Sequence, residues 1–140
     1  MGNMTRHDEA TTAMSGGPKT TDVRTMVFEV PTDRPEADGT MAWTATTVVV
    51  VEVDAGGHTG TGWSYTAASA AALVGGHLAG QIRGRSALDT PALWSSMVAA
   101  CRNLGRPGLA SCAISAVDTA LWDLGASGFS VGSPGHGVAG

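Results

Sequence analysis

Two short motifs in this 140-residue chain have residue types and spacing that could do chemistry. Gly128-Phe129-Ser130-Val131-Gly132 matches GxSxG, a pattern in which a strand-to-helix turn exposes a nucleophilic serine. Here it follows a predicted helix, and no Asp or Glu lies further along the chain to complete a hydrolase triad. Residues 56–62 are rich in glycine, but a phosphate-binding loop leads from a strand into a helix, and this run joins two predicted strands. This glycine-rich run predicts instead a β-hairpin, with glycines at positions where the backbone of another segment comes close.

The titratable residues show no ligand spacing either. His58 and His77 fall in different predicted elements without an HExxH or paired-ligand pattern, so we expect solvent-exposed or packing roles. Asp118 and Asp123 do not share a helix face, which favours capping or interface roles. Only one of the 8 Lys and Arg residues is a lysine, Lys19. The sequence therefore predicts no catalytic and no metal-ligating residue in this chain.

Charge and hydropathy exclude several classes of function. The net charge is −4, and the chain has no basic stripe of the kind that binds nucleic acid. Its longest aliphatic run, residues 48–51, is far shorter than the ~20 residues that span a membrane, and no apolar signal region precedes it. Cys101 and Cys112 lack metal or redox spacing and are expected to be small buried side chains. We expect a cytoplasmic protein that binds neither nucleic acid nor membranes.

The strands that must position any site lie in the first half of the chain. Residues 1–21 are polar without periodicity and are predicted to be a disordered leader. Pro31 is expected to end the first strand because it lacks an amide donor, and residues 31–42 then form a long loop typical of lids and binding loops. β-branched and alternating patterns predict three strands, over residues 22–30, 43–53 and 59–65.

Helical periodicity follows in the second half of the chain. The first predicted helix has Thr66 as its N-cap, and the second has Thr90 as its N-cap with Pro91 at the first helical position. The three helices are predicted over residues 67–83, from residue 90 to the stop at Gly105 and Pro107, and over residues 109–124. The buried stripe of the second consists of Leu93, Met97, Cys101 and Leu104.

Strands followed by helices indicate an α+β domain over residues 22–124, a three-stranded antiparallel sheet followed by a three-helix cover. The glycine-rich residues 125–140 are predicted to be an unstructured tail. A complete barrel of eight β/α units, which takes ~250 residues, does not fit in this length.

Three strings in this order carry a family resemblance: VFEVPTDRPEADGTMAW, TTVVVVEVDAGGHTGTGWSY and AISAVDTALWDL. Together they resemble the N-terminal capping domain of the enolase superfamily, closest to its mandelate racemase and muconate lactonizing enzyme branch. The resemblance implies a cap that closes over a β-barrel, and the barrel carries the chemistry. That chemistry abstracts a proton α to a carboxylate and stabilises the enediolate on Mg²⁺, with a lysine or histidine base and three metal-binding carboxylates in the barrel.

In this family the cap contributes specificity through two mobile loops, which match residues 31–42 and the segment after the third strand. The family's GxSY pattern is present as Gly62-Trp63-Ser64-Tyr65, so the resemblance makes Tyr65 a candidate substrate-binding residue, with Trp43 as a second. Aromatic residues at strand ends also commonly complete a core. Packing is the preferred interpretation for Trp43, and both interpretations stay open for Tyr65.

After Leu124 the sequence departs from the family, whose WDL segment continues through a basic helix end into the first barrel strand. We therefore expect a truncated or frameshifted enzyme that is inactive alone and binds no cofactor by itself, with Mg²⁺ expected in the complete family enzyme. A small carboxylate substrate would bind only with a barrel, and the exposed barrel-facing surface would promote self-association. The alternative is a free-standing, non-catalytic binding or assembly module derived from the cap.

Overall fold

A computed structural model describes residues 16–129 of the chain. Within them, three strands precede three helices. The strands are β1 (Thr20–Ala37), β2 (Ala42–Ala55) and β3 (His58–Tyr65), and they form one antiparallel sheet in the order β1-β2-β3. The predicted α+β fold with a three-stranded antiparallel sheet followed by helices is confirmed.

The three helices form a layer on one face of this sheet, in which the first and third contact the strands and the second packs against those two helices. Helix α1 consists of Ser69–Leu73, a π-helical turn over Val74–Leu78, and Ala79–Ile82. Helix α2 is Thr90–Ala100, and helix α3 is Leu109–Gly128. None of the helices in the described part of the chain is long and apolar enough to cross a membrane.

Alternation along β2 divides the sheet into a helix-covered face and an outer face. Val49, Val51 and Val53 are buried under the helices, because successive side chains of a strand point to opposite faces. The predicted stripe of α3 meets them, and all its members are buried: Ala113, Ile114, Val117, Ala120, Leu121 and Leu124. On the outer face, Phe28 and Trp63 are exposed.

The two glycines of β3 allow α3 to approach the strand at backbone distance. A Cβ on Gly62 would collide with the Ala116 carbonyl oxygen and lie 2.6 Å from the Ala120 nitrogen. Gly60 faces the next turn of the same helix in the same way. The prediction that these glycines mark a close backbone approach is confirmed. Asp123 adds a polar contact, since its Oδ2 accepts a hydrogen bond from the Thr61 amide at 2.8 Å.

The first strand is longer than predicted, and the predicted loop over residues 31–42 was wrong for most of its length. β1 continues through Pro31, which pairs with Ala45, to Ala37, with an irregularity between Pro31 and Glu36. Proline is tolerated here because β1 is an edge strand of the sheet. Only residues 38–41 connect β1 to β2.

Both ends of the predicted domain also differ from the structure. Thr20 is buried and begins β1, and Lys19 forms an isolated bridge with Ser86, so residues 16–21 of the predicted leader are structured. Helix α3 continues past Leu124 to Gly128, and Phe129 packs against the core. The rest of the predicted leader and tail, residues 1–15 and 130–140, lies outside the described residues.

Three details of the helix predictions were wrong. Thr66 does not cap α1, because its amide extends the strand pairing by donating to the Thr47 oxygen at 3.2 Å. Thr90 is the first residue of α2 rather than its N-cap, which is Asp89. Leu104 lies beyond the end of α2, where helical periodicity no longer applies, and it is 55% exposed.

Cys101 is buried, as predicted, and burial raises the pKa of its thiol, whereas Cys112 is half-buried.

We predict that Gly62→Ala destabilises the domain by about 1–3 kcal/mol or more, because the new methyl group must displace helix backbone rather than a flexible side chain. Chemical denaturation followed by circular dichroism measures this change. Gly80→Ala in α1 is the matched control, since its Cβ meets nothing within 4 Å and alanine favours a helix by about 1 kcal/mol over glycine. Equal stability of the Gly62→Ala variant and the unsubstituted chain would contradict the close approach.

Candidate functional site

A solvent-open pocket of about 440 Å³ lies at the end of the sheet where β3 ends and the β1–β2 turn begins. All three strands contribute to it. Tyr65 comes from β3, Trp43 from β2 and Glu36 from β1. The structure thus brings together the two residues that the sequence singled out separately, and it adds Glu36. Val30, Pro31, Thr32, Thr46 and Val48 complete the lining.

Tyr65 is positioned by the strand that α3 holds in place. It is the last residue of β3 and lies opposite Val48. Its ring meets the Trp63 ring edge-on, with centroids 5.1 Å apart and an interplanar angle of 69°. The residue is 63% exposed, so it does not complete the core. Its role in substrate binding stays a prediction.

Trp43 is held by a carboxylate on the neighbouring strand. Glu36 and Trp43 are direct partners in the β1–β2 register. The Trp43 indole Nε1 donates a hydrogen bond to Glu36 Oε2 at 3.0 Å, which fixes the ring against one wall of the pocket. Glu36 was not predicted from the sequence, because its segment was predicted to be a loop. The only available signal was an acidic residue within the segment that matches a family specificity loop.

The remaining polar groups of the pocket are hydroxyls. Tyr65 and Thr46 line it together with Thr32, whose Oγ1 is buried and has no hydrogen-bond partner among the described residues. No lysine, arginine or histidine is among the described lining residues. The pocket therefore offers aromatic surfaces, hydroxyls and one acidic acceptor. These groups can bind and orient a small polar molecule, but they do not form a nucleophile–base pair.

The turn beside the pocket is organised by Asp38. Its Oδ1 accepts hydrogen bonds from the Thr40 amide, the Thr40 hydroxyl and the Met41 amide, each at 2.8 Å. These bonds, with the Thr40 amide as the largest contribution, hold the pKa of Asp38 below its ordinary value, because they stabilise the ionised carboxylate. The ionised Asp38 side chain thereby stabilises the turn between β1 and β2, the two strands on which Glu36 and Trp43 are paired.

The other candidates from the sequence lie elsewhere. His77 Nε2 is 2.7 Å from the Ala100 carbonyl oxygen, and the His58 ring packs edge-on against Phe129. The described residues contain no group of three or more His, Cys, Asp or Glu side chains that could hold a metal ion, so they do not fit a magnesium site. Ser130 of the GxSxG match lies outside the described residues.

The fold is a three-stranded antiparallel sheet with a helical cover, and the pocket at the end of the sheet offers binding groups without a nucleophile–base pair. Residues 22–131 match the family model described as the N-terminal domain of mandelate racemase and muconate lactonizing enzyme. The chain belongs to this family, and the resemblance inferred from the three sequence strings is confirmed.

The part of this chain that matches its relatives covers about three-tenths of their length. The 3,6-anhydro-alpha-L-galactonate cycloisomerase of Streptomyces coelicolor is 37% identical over 110 residues, which are 73% of this chain and 30% of that enzyme. A mandelate racemase/muconate lactonizing enzyme-like protein from Rubrobacter xylanophilus superimposes with a TM-score of 0.75 at 47% identity, covering 76% of this chain and 30% of that one. The L-talarate dehydratase of a Polaromonas species, complexed with Mg and L-glucarate, superimposes with a TM-score of 0.67 at 30% identity. The match covers 77% of this chain and 32% of that one.

We predict that Asp38→Ala loosens the β1–β2 turn and speeds hydrogen exchange of the Thr40 and Met41 amides several-fold, because both lose their acceptor. Exchange measured by NMR tests this. Asp33→Ala is the control, because it removes an exposed carboxylate of β1 for which no side-chain hydrogen bond is found among the described residues. In the unsubstituted chain the turn should be fully formed above the ordinary aspartate pKa of about 3.9 and loosen as the pH falls through the lower folded-state pKa. Unchanged exchange in Asp38→Ala would refute this role.

Proposed function

We propose that this domain is the capping domain of an enzyme that abstracts a proton α to a carboxylate, and that Tyr65 and Trp43 contact its substrate. The observation that carries the proposal is the pocket that these two residues share at the β1–β2 end of the sheet. They come from the two strands of one hairpin, β2 and β3, and they line a solvent-open space instead of the core. A pocket at a domain surface, with aromatic walls and few polar groups, is typical of small-molecule sites.

The relatives support a sugar-derived carboxylate as the substrate. The Streptomyces coelicolor relative is a cycloisomerase of an anhydro-galactonate, and the Polaromonas relative is a dehydratase complexed with Mg and L-glucarate. We therefore propose a racemase, cycloisomerase or acid-sugar dehydratase as the complete enzyme. We place its activity in the cytoplasm.

The proposed mechanism divides the work between two domains. The ligands of Mg²⁺ and the catalytic base are expected in the barrel of the complete enzyme, where the bound ion would supply electrostatic stabilisation of the negative charge that proton abstraction creates. The cap's contribution is binding and orientation. Tyr65 and Trp43 would cover the substrate and exclude water, and the Glu36–Trp43 hydrogen bond would keep the indole in place. Alone, the chain would bind no cofactor and catalyse no reaction.

We propose that a second surface, the groove between α2 and α3, faces the barrel. Trp94 and Trp122 line it and are 43% and 61% exposed. Asp118 lies between them, half-buried, and burial raises its pKa. Leu88 and Phe129 extend the apolar surface toward the end of α3, and in the family this helix leads into the barrel. If the chain is instead a free-standing binding or assembly module, the same groove is the surface on which its partner would bind.

The substrate-binding role can be tested in a chimaera. Residues 22–128 would replace the matching N-terminal domain of the Streptomyces coelicolor cycloisomerase, whose own barrel would supply the chemistry. We expect the chimaera to turn over that enzyme's substrate, and Tyr65→Ala to lower kcat/KM roughly tenfold or more, because a hydrogen-bonding aromatic contact is lost. Steady-state kinetics with Mg²⁺ give both values.

Thr61→Ala, on the same face of β3 but outside the pocket, should leave the kinetics of the chimaera unchanged. The 140-residue chain assayed alone should show no turnover of sugar acids. A folded but inactive chimaera would contradict the capping function, and an unaffected Tyr65→Ala chimaera would contradict the substrate contact. Turnover by the chain alone would show that the division of work is wrong.

The barrel-facing groove predicts that the isolated chain self-associates, because exposed apolar surface of this kind promotes association. Trp122→Ser should shift the equilibrium toward monomer in analytical ultracentrifugation. Trp63→Ser is a matched control, since it removes an exposed tryptophan from the opposite, outer face of the sheet. A strictly monomeric chain, or a shift with Trp63→Ser alone, would refute the assignment of this surface.

A further inference from the structure

We propose that Asp118, which lies between Trp94 and Trp122, is the docking site for the guanidinium group of an arginine side chain that the barrel domain presents. This inference rests on the proposed function, because it names the group that would occupy the groove between α2 and α3. It gives a chemical identity to the interface role that the sequence left open for Asp118.

The Asp118 carboxylate has no partner among the described residues. No salt bridge within residues 16–129 includes it, and burial alone raises its pKa. Helix α3 nevertheless holds this side chain half-buried in the wall of the groove. A partly desolvated carboxylate without a counter-charge costs free energy, and a cation beside it offsets that cost. Because an ionised carboxylate has about four acceptor sites and no donor, the group that binds Asp118 must be a hydrogen-bond donor.

The hydroxyls on either side of Asp118 also present acceptors. Ser95 Oγ donates its proton to the Pro91 carbonyl oxygen at 2.9 Å. Ser111 Oγ donates in the same way to the Arg106 carbonyl oxygen at 2.5 Å. Because each hydroxyl has one proton, both oxygens have only lone pairs left for a ligand. Ser95 lines an open pocket of about 340 Å³ and Ser111 lines one of about 370 Å³, and Asp118 lines both. The groove therefore suits a group with several N–H donors.

The rings around the carboxylate favour a guanidinium group over an ammonium group. Trp94 of α2 and Trp122 of α3 line the same pocket as Asp118, and both are exposed. Indole faces attract cations that lie within about 6 Å of the ring centre. Guanidinium is planar and weakly hydrated, so it stacks on such a ring while it binds a carboxylate through two parallel hydrogen bonds. An ammonium group is compact and strongly hydrated and gains less from the indole walls.

Arg106 does not supply this cation. It lines the pocket that contains Ser111, and no salt bridge among the described residues joins it to Asp118. The pocket between Trp94 and Trp122 has no basic residue in its described lining. The cation must consequently come from outside the described domain. The barrel is the neighbour that the proposed function places against this groove, and arginine is enriched where protein surfaces meet, so the arginine belongs to the barrel.

The test uses the 140-residue chain labelled with 5-fluorotryptophan, at a concentration where ultracentrifugation finds it monomeric. The fluorine NMR signals of Trp94 and Trp122 are assigned with Trp94→Phe and Trp122→Phe. The probe is N-acetyl-L-arginine methylamide, and the comparison compounds are its neutral isostere, N-acetyl-L-citrulline methylamide, and N-acetyl-L-lysine methylamide. We expect both signals to shift saturably with the arginine derivative. The lysine derivative should bind several-fold more weakly, and the citrulline derivative should give no saturable shift, because it carries no charge.

Asp118→Asn should weaken binding of the arginine derivative about fivefold or more, because charge-assisted hydrogen bonds are lost at little change in volume. Glu29→Gln is the matched control. It removes the same charge from an exposed position on β1, outside the groove, and should bind normally. In the chimaera the barrel's own arginine should fill the site, so the arginine derivative should bind at least about tenfold more weakly than to the 140-residue chain. The citrulline comparison needs no substitution and therefore does not depend on the folding of a variant.

Any of four results overturns the inference: no saturable shift of the Trp94 and Trp122 signals, equal or tighter binding of the citrulline or lysine derivative, unchanged binding in Asp118→Asn, or undiminished binding in the chimaera. Turnover by the chimaera separates this failure from that of the proposed function. An active chimaera with any of these four results refutes only the inference. An inactive chimaera, with the arginine derivative bound through Asp118 in the 140-residue chain, refutes only the capping function.

Discussion

The backbone-to-backbone approach of α3 to β3 is the constraint on which the rest of this domain depends. At Gly60 and Gly62 the helix occupies the space that side chains would fill. The Asp123 carboxylate fixes the register of the same contact by accepting a hydrogen bond from the Thr61 amide. Because α3 also supplies the largest buried stripe of the core, the position of this helix sets the depth of the core and the orientation of the sheet beneath it. A single side chain at either glycine would separate the two elements.

The pocket follows from that contact through the sheet. The contact with α3 fixes β3, whose last residue is Tyr65. The pairing of β2 with β3 then places Val48 and Trp43 relative to Tyr65. The irregular edge strand β1 then brings Glu36 opposite Trp43, where the two side chains form a hydrogen bond. Each strand thus contributes one principal group to a site whose geometry none of them defines alone. The Asp38 turn keeps the two longer strands in this arrangement with hydrogen bonds from the Thr40 and Met41 amides to the Asp38 carboxylate rather than with apolar burial.

The chemistry of the site agrees with its place in a larger enzyme family. The chain spans about three-tenths of the length of the relatives compared. Its described residues provide binding groups and no cluster that could hold a metal ion. The pocket and the tryptophan-lined groove lie on different parts of the surface, one at the end of the sheet and the other between two helices. In a domain of this design, substitutions of a few residues at one end of the sheet can alter the pocket while the helical packing stays unchanged.

The sequence by itself determined the order of the elements, the buried stripe of α3 and the close approach at the β3 glycines. These features are local or periodic, and each follows from the pattern of a short segment. The family followed from the resemblance of three strings in their order. The sequence also singled out Tyr65 and Trp43, through a family pattern and a strand boundary, but not their proximity. Only the tertiary structure decided that β1 continues through Pro31, because an edge strand tolerates a residue that a central strand would exclude. The same strand pairing revealed Glu36 and the orphaned Thr32 hydroxyl. Such contacts depend on which strands become neighbours and in what register, and no local preference encodes that.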